Sequence, residues 1–220
     1  MEKTSWKFID GEGTFRWESA QRINALYFPL CNASPIMSSL TPDLHGDLKT
    51  DFNSFLLEPV SRLSLSNSKV SRNFWVYLSP KKIWSATGVS KNTSPKDDKF
   101  SLGAGPLWQK VIRQNKKIGL ESRITSFIPS SGEPVEIMHV EIVNICRKTI
   151  KFVPTAAIPI YGRSANNLHD HRHVTSLLQR AKIEASGVVT KPTLSFDETG
   201  HKKNHTCYFV FGVDSKSLHA

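Results

Sequence analysis

The sequence predicts an all-β protein, a large antiparallel sandwich with little helix. Short stretches rich in aromatic and β-branched residues recur along the chain and are separated by Gly, Pro, Asn and Ser. Helical periodicity is scarce. No internal repeat or domain-scale linker divides the 220 residues, and all-β sandwiches of this length commonly form one domain. We therefore expect a single domain over residues 1–220.

Each predicted element follows from its local pattern. The strand-like stretches are 73–78, 108–113, 124–128, 135–144, 152–160 and 208–211. Segment 135–144 (VEIMHVEIVN) is apolar on both faces, which predicts a strand inside a stack of sheets. A turn at Pro129–Gly132 lets the run from Ile118 pair with it as a long hairpin. The best helix candidate is 174–181, and 91–99 has the composition of an exposed loop.

Charge and cysteine usage limit the partners and the compartment. The formal net charge is +10, but the bases are scattered in small groups such as Lys81–Lys82 and Lys116–Lys117. A nucleic-acid binder concentrates its cations, so we expect no nucleic-acid partner. No apolar run approaches the roughly 20 residues of a membrane span, and the first residues show no secretory signal. Three widely spaced cysteines predict reduced thiols in a cytoplasmic protein.

The histidine-rich segment 167–178 (NLHDHRHVTSLL) raises the possibility of a metal site. His169, His171 and His173 would share one face of a strand, but the outer two would stand roughly 13 Å apart and could not reach one ion. The alternative is a buried network in which the imidazoles donate and accept hydrogen bonds and Asp170 pairs with Arg172. We expect no metal.

Two further stretches are unusually polar for an ordinary core. Residues 41–57 contain six polar or charged side chains between Asp43 and Asn53. They do not form a calcium-binding EF-hand loop, because a loop starting at Asp43 would need Gly and Glu at the positions where this chain has Leu48 and Ser54. Within residues 9–32, the segment Gly11–Gly13 is interpreted as a turn rather than a phosphate-binding loop. Carboxylates for glycoside hydrolysis cannot be assigned from spacing, since they converge only in three dimensions.

Six stretches together carry a resemblance to a known family. They are FIDGEGTFRWESAQRINALYFPLCN, MSSLTPDLHGDLKTDFNSFLL, SRNFWVYL, WSATG, PTAAIPIYGRSANNLHDHRHVTSLL and KPTLSFDETGHKKN. They resemble the amino-terminal region of cellobiose-phosphorylase-like glycoside phosphorylases, glycoside hydrolase family 94 (formerly glycosyltransferase family 36) and its relatives. The match runs from about residue 6 to 212. Relatives commonly carry Arg where this chain has His169, a further argument against a metal.

The resemblance implies an antiparallel super-sandwich similar to galactose-mutarotase-type carbohydrate-binding domains. In that family the sandwich continues through a helical linker into an (α/α)6 barrel that holds the general-acid aspartate and the phosphate site. The family reaction is inverting phosphorolysis of a β-glucoside to an α-sugar 1-phosphate, with inorganic phosphate as co-substrate and no other cofactor. This chain is then expected to be truncated before its barrel and inactive alone. Its partners would be an oligosaccharide or the barrel, in a family that is often homodimeric.

The expected site residues lie in the polar segment 161–173. Arg163, Asp170, Arg172 and His173 are the candidates for binding substrate or contacting the barrel, because a polar cluster beside an apolar strand needs partners. No catalytic residue is expected within the chain. The alternatives are a solvated loop for the segment and, for the protein, a free-standing carbohydrate-binding or scaffolding module. A metallohydrolase would rest on the histidines alone.

Overall fold

The computed structural model describes residues 6–18, 26–59, 61, 71–88, 97–163, 178–197 and 200–214. Within these ranges the first nine strands are β1 Trp6–Phe8, β2 Phe15–Glu18, β3 Phe28–Cys31, β4 Met37–Leu40, β5 Leu48–Asp51, β6 Ser54–Leu57, β7 Asn73–Ser79, β8 Lys82–Ser85 and β9 Asp98–Gly105. The next nine are β10 Trp108–Asn115, β11 Leu120–Phe127, β12 Ile137–Asn144, β13 Val153–Ala157, β14 Gln179–Glu184, β15 Gly187–Pro192, β16 Leu194–Asp197, β17 Gly200–Lys203 and β18 Tyr208–Phe211. The all-β prediction is confirmed.

The strands form five antiparallel sheets. The largest has six strands in the order β1-β2-β9-β10-β11-β12, and β3 to β6 form a four-stranded meander. Two three-stranded sheets have the orders β13-β7-β8 and β14-β15-β18, and β16 pairs with β17. Within the described ranges there is no helix of the length and apolarity that crossing a membrane would require.

The core lies between the six-stranded and four-stranded sheets. Strand β10 alternates buried and half-buried residues along its whole length, as a strand with one covered face must. Val111 pairs in register with Leu102 on one side and with Ile124 on the other, and all three are buried. They join one apolar cluster with Leu40 and Leu57 of the facing sheet. Burying each such side chain contributes about 1.5–3 kcal/mol.

The long hairpin predicted around the 129–132 turn is confirmed. Strands β11 and β12 pair antiparallel from Leu120–Asn144 to Phe127–Ile137 without a register shift. The prediction that both faces of this segment are covered is wrong. Ile137, His139 and Glu141 are exposed, because only the opposite face of β12, with Met138, Val140 and Ile142, packs against the core.

Two other local predictions are wrong at the residues that the structure describes. Residues 174–177 of the predicted helix lie outside the described residues, and Gln179 to Ala181 belong to strand β14, which pairs with β15. Tertiary pairing here overrides a two-turn helical pattern. The predicted loop 91–99 lies outside the description up to residue 96, but Asp98 and Lys99 begin strand β9, and Asp98 is buried.

Among the described residues, strand β18 forms the edge of its sheet. It pairs with β15 on one side and is terminal in its sheet, and its Phe209 and Phe211 rings lie 5.1 Å apart. The two residues are 42% and 48% exposed. Aromatic side chains beside unpaired backbone groups form a surface that associates with other chains.

We therefore expect the isolated chain to self-associate. Changing Phe209 and Phe211 together to Lys should raise the monomer fraction in sedimentation velocity, because charged edges repel further pairing. Phe52→Lys is the matched control, since Phe52 is 85% exposed in the turn between β5 and β6. A wild-type chain that sediments as a monodisperse monomer would contradict this expectation.

Candidate functional site

The sequence-predicted site residues are only partly within the described structure. Arg163 is described, whereas Asp170, Arg172 and His173 lie outside the described residues, together with His169 and His171. The predicted polar network of residues 170–173 therefore stays a prediction. The described neighbourhood of Arg163 and the polar loop at residues 41–47, between β4 and β5, can be built up from their contacts.

The position of Arg163 is fixed by backbone hydrogen bonds and by contact with an aromatic ring. Phe55 N donates to Arg163 O at 3.1 Å, and Arg163 N donates to Phe55 O at 3.0 Å, so the segment adds a bridge to the edge of β6. The guanidinium carbon lies 4.3 Å from the centre of the Tyr161 ring, a cation–π contact. Gln179 Nε2 donates to Tyr161 O at 3.0 Å from the other side. The start of the predicted polar segment is thus held firmly against the four-stranded sheet.

The 41–47 loop is a tight and strained connection. Leu44 N donates to Thr41 O at 2.9 Å, and Thr41 N donates to His45 O at 2.8 Å. Leu44 is fully buried yet has a φ of 59°, a left-handed conformation that costs about 1–2 kcal/mol for a residue with a side chain. Gly46 follows with a φ of 137°. Strain of this kind persists only where the surroundings impose it, and it is frequent at functional sites.

Arg72 imposes that conformation. Its Nη1 donates to Gly46 O at 3.1 Å and its backbone N donates to Leu44 O at 3.1 Å. Its Nε and Nη2 donate to the two carboxylate oxygens of Glu136 at 2.5 and 2.9 Å, in the bidentate geometry of the strongest ion pairs. Both side chains are buried. A single guanidinium therefore joins the loop to the chain just before β12.

A second buried arginine lies on the other side of the loop. Arg113 Nη1 is 3.4 Å from Asp98 Oδ2, and its Nη2 donates to Thr87 O at 3.1 Å and lies 4.0 Å from Asp43 Oδ1. Burial lowers the pKa of Arg113, and Asp98 and Asp43 oppose that effect. Burial likewise raises the pKa of Asp43, against the attraction of Arg113 and His45.

Asp43 is the member of this network that meets solvent, with its side chain 27% exposed. A carboxyl group held at the mouth of a rigid polar network can accept hydrogen bonds from a sugar hydroxyl or from a docked chain. Among the described residues no group of three or more His, Cys, Asp or Glu side chains is placed to hold a metal ion.

Sequence reasoning identified the 41–47 loop as unusual but missed the residues that shape it. Arg72 and Glu136 are 64 positions apart, and Arg113 and Asp98 lie on neighbouring strands. The second pair could have been inferred from the pairing register of β9 and β10, because the alternation of side chains along each strand places both residues on the inward face. For the first pair the sequence offers no local signal.

No protein-family model matches the chain, and a search of curated proteins finds no significant match.

Proposed function

We propose that this chain is the amino-terminal carbohydrate-binding and structural domain of a cellobiose-phosphorylase-like glycoside phosphorylase. The proposal includes a galactose-mutarotase-like super-sandwich, a cytoplasmic location and a parent reaction of inverting phosphorolysis of a β-glucoside. The catalytic (α/α)6 barrel would be a separate structure, and inorganic phosphate would be its co-substrate. The domain alone would be inactive.

One observation carries the proposal: stretches that resemble the family meet in one place. The stretch 37–57 contains the 41–47 loop, which Arg72 of the stretch 71–78 holds, while Phe55 and Leu56 pair with 161–163 of a third stretch. Segments far apart in the chain thus meet at the four-stranded sheet, with the 41–47 loop between two of its strands and residues 161–163 at the edge of β6. Surface polar groups that are rigidly positioned in this way are typical of binding and docking sites.

The residues beyond Arg163 would extend this edge. We place Asp170, Arg172 and His173 beside it, as an ordered polar network that contacts the barrel or the sugar. Asp43, partly exposed in the loop between β4 and β5 of the same sheet, would supply a further hydrogen-bonding group. The exposed apolar edge of β18 also fits a domain that packs against another structure.

The isolated chain should release no sugar 1-phosphate from cellobiose or laminaribiose in the presence of inorganic phosphate, because the proposal places the general acid in the barrel. A coupled glucose 1-phosphate assay measures this directly, with an intact family phosphorylase as the positive control. Phosphate-dependent release by the purified chain would overturn the assignment of the chemistry to the barrel.

The alternative, a free-standing carbohydrate-binding module, predicts a different result with the same protein. Such a module would bind neutral β-glucan oligosaccharides without a barrel, and calorimetric titration with cello-oligosaccharides would detect this. Loss of that binding in Asp43→Asn, with an unchanged circular dichroism spectrum, would locate the bound sugar at the 41–47 loop. Binding of this kind together with no activity when the chain is joined to a family barrel would favour the module over the phosphorylase domain.

A further inference from the structure

Three separate segments of the chain meet at one end of the sandwich, and the charges they carry are all positive. They are residues 79–82 at the β7–β8 turn, residues 116–119 between β10 and β11, and residues 145–152 between β12 and β13. Together they contain seven exposed cations, Lys81, Lys82, Lys116, Lys117, Arg147, Lys148 and Lys151, and no acidic residue. We call this surface the basic end.

A small apolar cluster brings the three segments together. Its members come from within the segments or from the strands beside them, and they are Val76, Leu78, Trp84, Ile118, Leu120, Ile150 and Phe152. Ile145 N donates to Gly119 O at 2.9 Å, so the second and third segments are also joined through their backbones. Basic groups that are scattered along the sequence are therefore gathered around one point of the fold.

Most of this positive charge is not neutralised within the protein. Lys117 pairs with Asp97 at 2.6 Å. In the part of the chain that the structure describes, no carboxylate lies within ion-pairing distance of the other six cations. Clustered cations of this kind attract an extended anionic surface, which is bound by many exposed charges together and requires no enclosed pocket.

An exposed apolar row lies beside the basic end. Tyr77 is the register partner of Val153 on β13 and of Ile83 on β8, so the three side chains form one row across the three-stranded sheet. They are 38%, 57% and 41% exposed, in that order. Their chain neighbours Val76 and Phe152 pack in the apolar cluster, which places the row on the outer face of the sheet.

We propose that the basic end and the apolar row together form a docking surface for an anionic lipid membrane. Exposed apolar side chains next to cations are the combination by which a protein binds at the headgroup region of such a membrane. Lys82 directly precedes Ile83, and Lys151 is two residues from Val153, so cations flank the row. Nucleic acid would engage the same cations, but it offers no apolar phase in which aliphatic side chains could be buried.

This inference goes beyond the proposed function and does not depend on it. Strand β7 separates the two surfaces, since Arg72 at its start holds the 41–47 loop and the basic end follows its last residue. A strand of seven residues spans roughly 20 Å. Membrane binding can therefore be lost while the 41–47 loop stays intact.

The test is flotation of the 220-residue chain with lipid vesicles, because floating vesicles separate bound protein from self-associated protein, which sediments. Vesicles of phosphatidylcholine and phosphatidylglycerol in equal parts are compared with vesicles of phosphatidylcholine alone. Binding to the mixed vesicles should be at least about tenfold tighter and should weaken as salt is added. A single-stranded oligonucleotide that removes the protein from the mixed vesicles at an equal concentration of phosphate groups would overturn the membrane assignment.

Paired lysine variants locate the surface. Lys81→Gln with Lys82→Gln should weaken binding to the mixed vesicles about tenfold or more, because both cations lie next to the apolar row. Lys202→Gln with Lys203→Gln is the matched control, since it removes two adjacent exposed lysines from β17. At physiological salt the control should bind nearly as the wild type does, because screening limits the effect of distant charges.

A second double variant tests the apolar row. Ile83→Thr with Val153→Thr keeps β-branched residues in both strands and should weaken vesicle binding about threefold or more, with its salt dependence unchanged. If this variant does not fold, the lysine pairs alone decide. No binding of the wild type to mixed vesicles, equal binding to neutral vesicles, equal losses in the two lysine pairs, or full affinity in the folded threonine variant overturns the proposal.

Discussion

Arg72→Ala is expected to destabilise the domain by about 3–5 kcal/mol, the cost of leaving a buried partner without its counter-charge. Glu136 would keep a buried carboxylate, and Leu44 O and Gly46 O would lose the guanidinium that holds the 41–47 loop. Urea unfolding followed by tryptophan fluorescence measures the change, because Trp84 is fully buried and reports on the core.

Arg123→Ala is the matched control for this prediction. Arg123 pairs with Glu121 at 2.8 Å, but its side chain is 42% exposed, and pairs of this kind are worth about 0–1 kcal/mol. A second variant, Arg72→Met with Glu136→Leu, removes both charges and should recover part of the loss. Equal stabilities for Arg72→Ala and Arg123→Ala would show that the buried pair does not hold the loop.

Gly46→Ala is expected to cost about 3 kcal/mol or more, because backbone strain and a steric clash coincide at this position. Its φ of 137° is open to glycine and rarely to other residues, and an added Cβ would lie 1.7 Å from Ser39 O. The obstructing atom is backbone, so the β4–β5 connection itself would have to move. The same urea unfolding experiment measures the loss.

Substitutions at two other glycines distinguish the cost of backbone strain from the cost of a steric clash. Gly13 has a φ of 88° with nothing near an added Cβ, so Gly13→Ala should cost about 1–2 kcal/mol from strain alone. Gly11 lies in the same β1–β2 turn and has neither constraint, and Gly11→Ala should stay within about 0.5 kcal/mol of the wild type. A Gly46→Ala variant no less stable than Gly13→Ala would contradict the expected clash.

Local pattern predicted the all-β class and several of the strands. The stretches at 73–78, 108–113 and 208–211 became strands because aromatic and β-branched residues there alternate or cluster between turns. The turn at 129–132 predicted the β11–β12 hairpin. The errors arose where contacts between strands determine the structure. Strand β12 is apolar on both faces but lies at the edge of its described sheet, and Gln179–Ala181 pair with β15 instead of forming the weakly indicated helix.

The candidate site was less predictable, because its geometry depends on long-range pairs. The sequence marked 41–57 and 161–173 as unusually polar, and the two stretches meet where Phe55 pairs with Arg163. It could not indicate that Arg72 joins the loop to Glu136, since charge complementarity 64 residues apart leaves no spacing signal.

The proposed phosphorylase domain is tested most directly by a chimera. Residues 1–220 would replace the sandwich domain of an intact cellobiose-phosphorylase-like enzyme, and phosphate-dependent release of glucose 1-phosphate from cellobiose would be measured. The proposal predicts measurable phosphorolysis by the folded chimera, and a loss of kcat/KM or melting temperature when Arg172 is changed to Ala. A chimera that folds cooperatively but shows no phosphorolysis, while the parent enzyme is active in parallel, would contradict the proposed function.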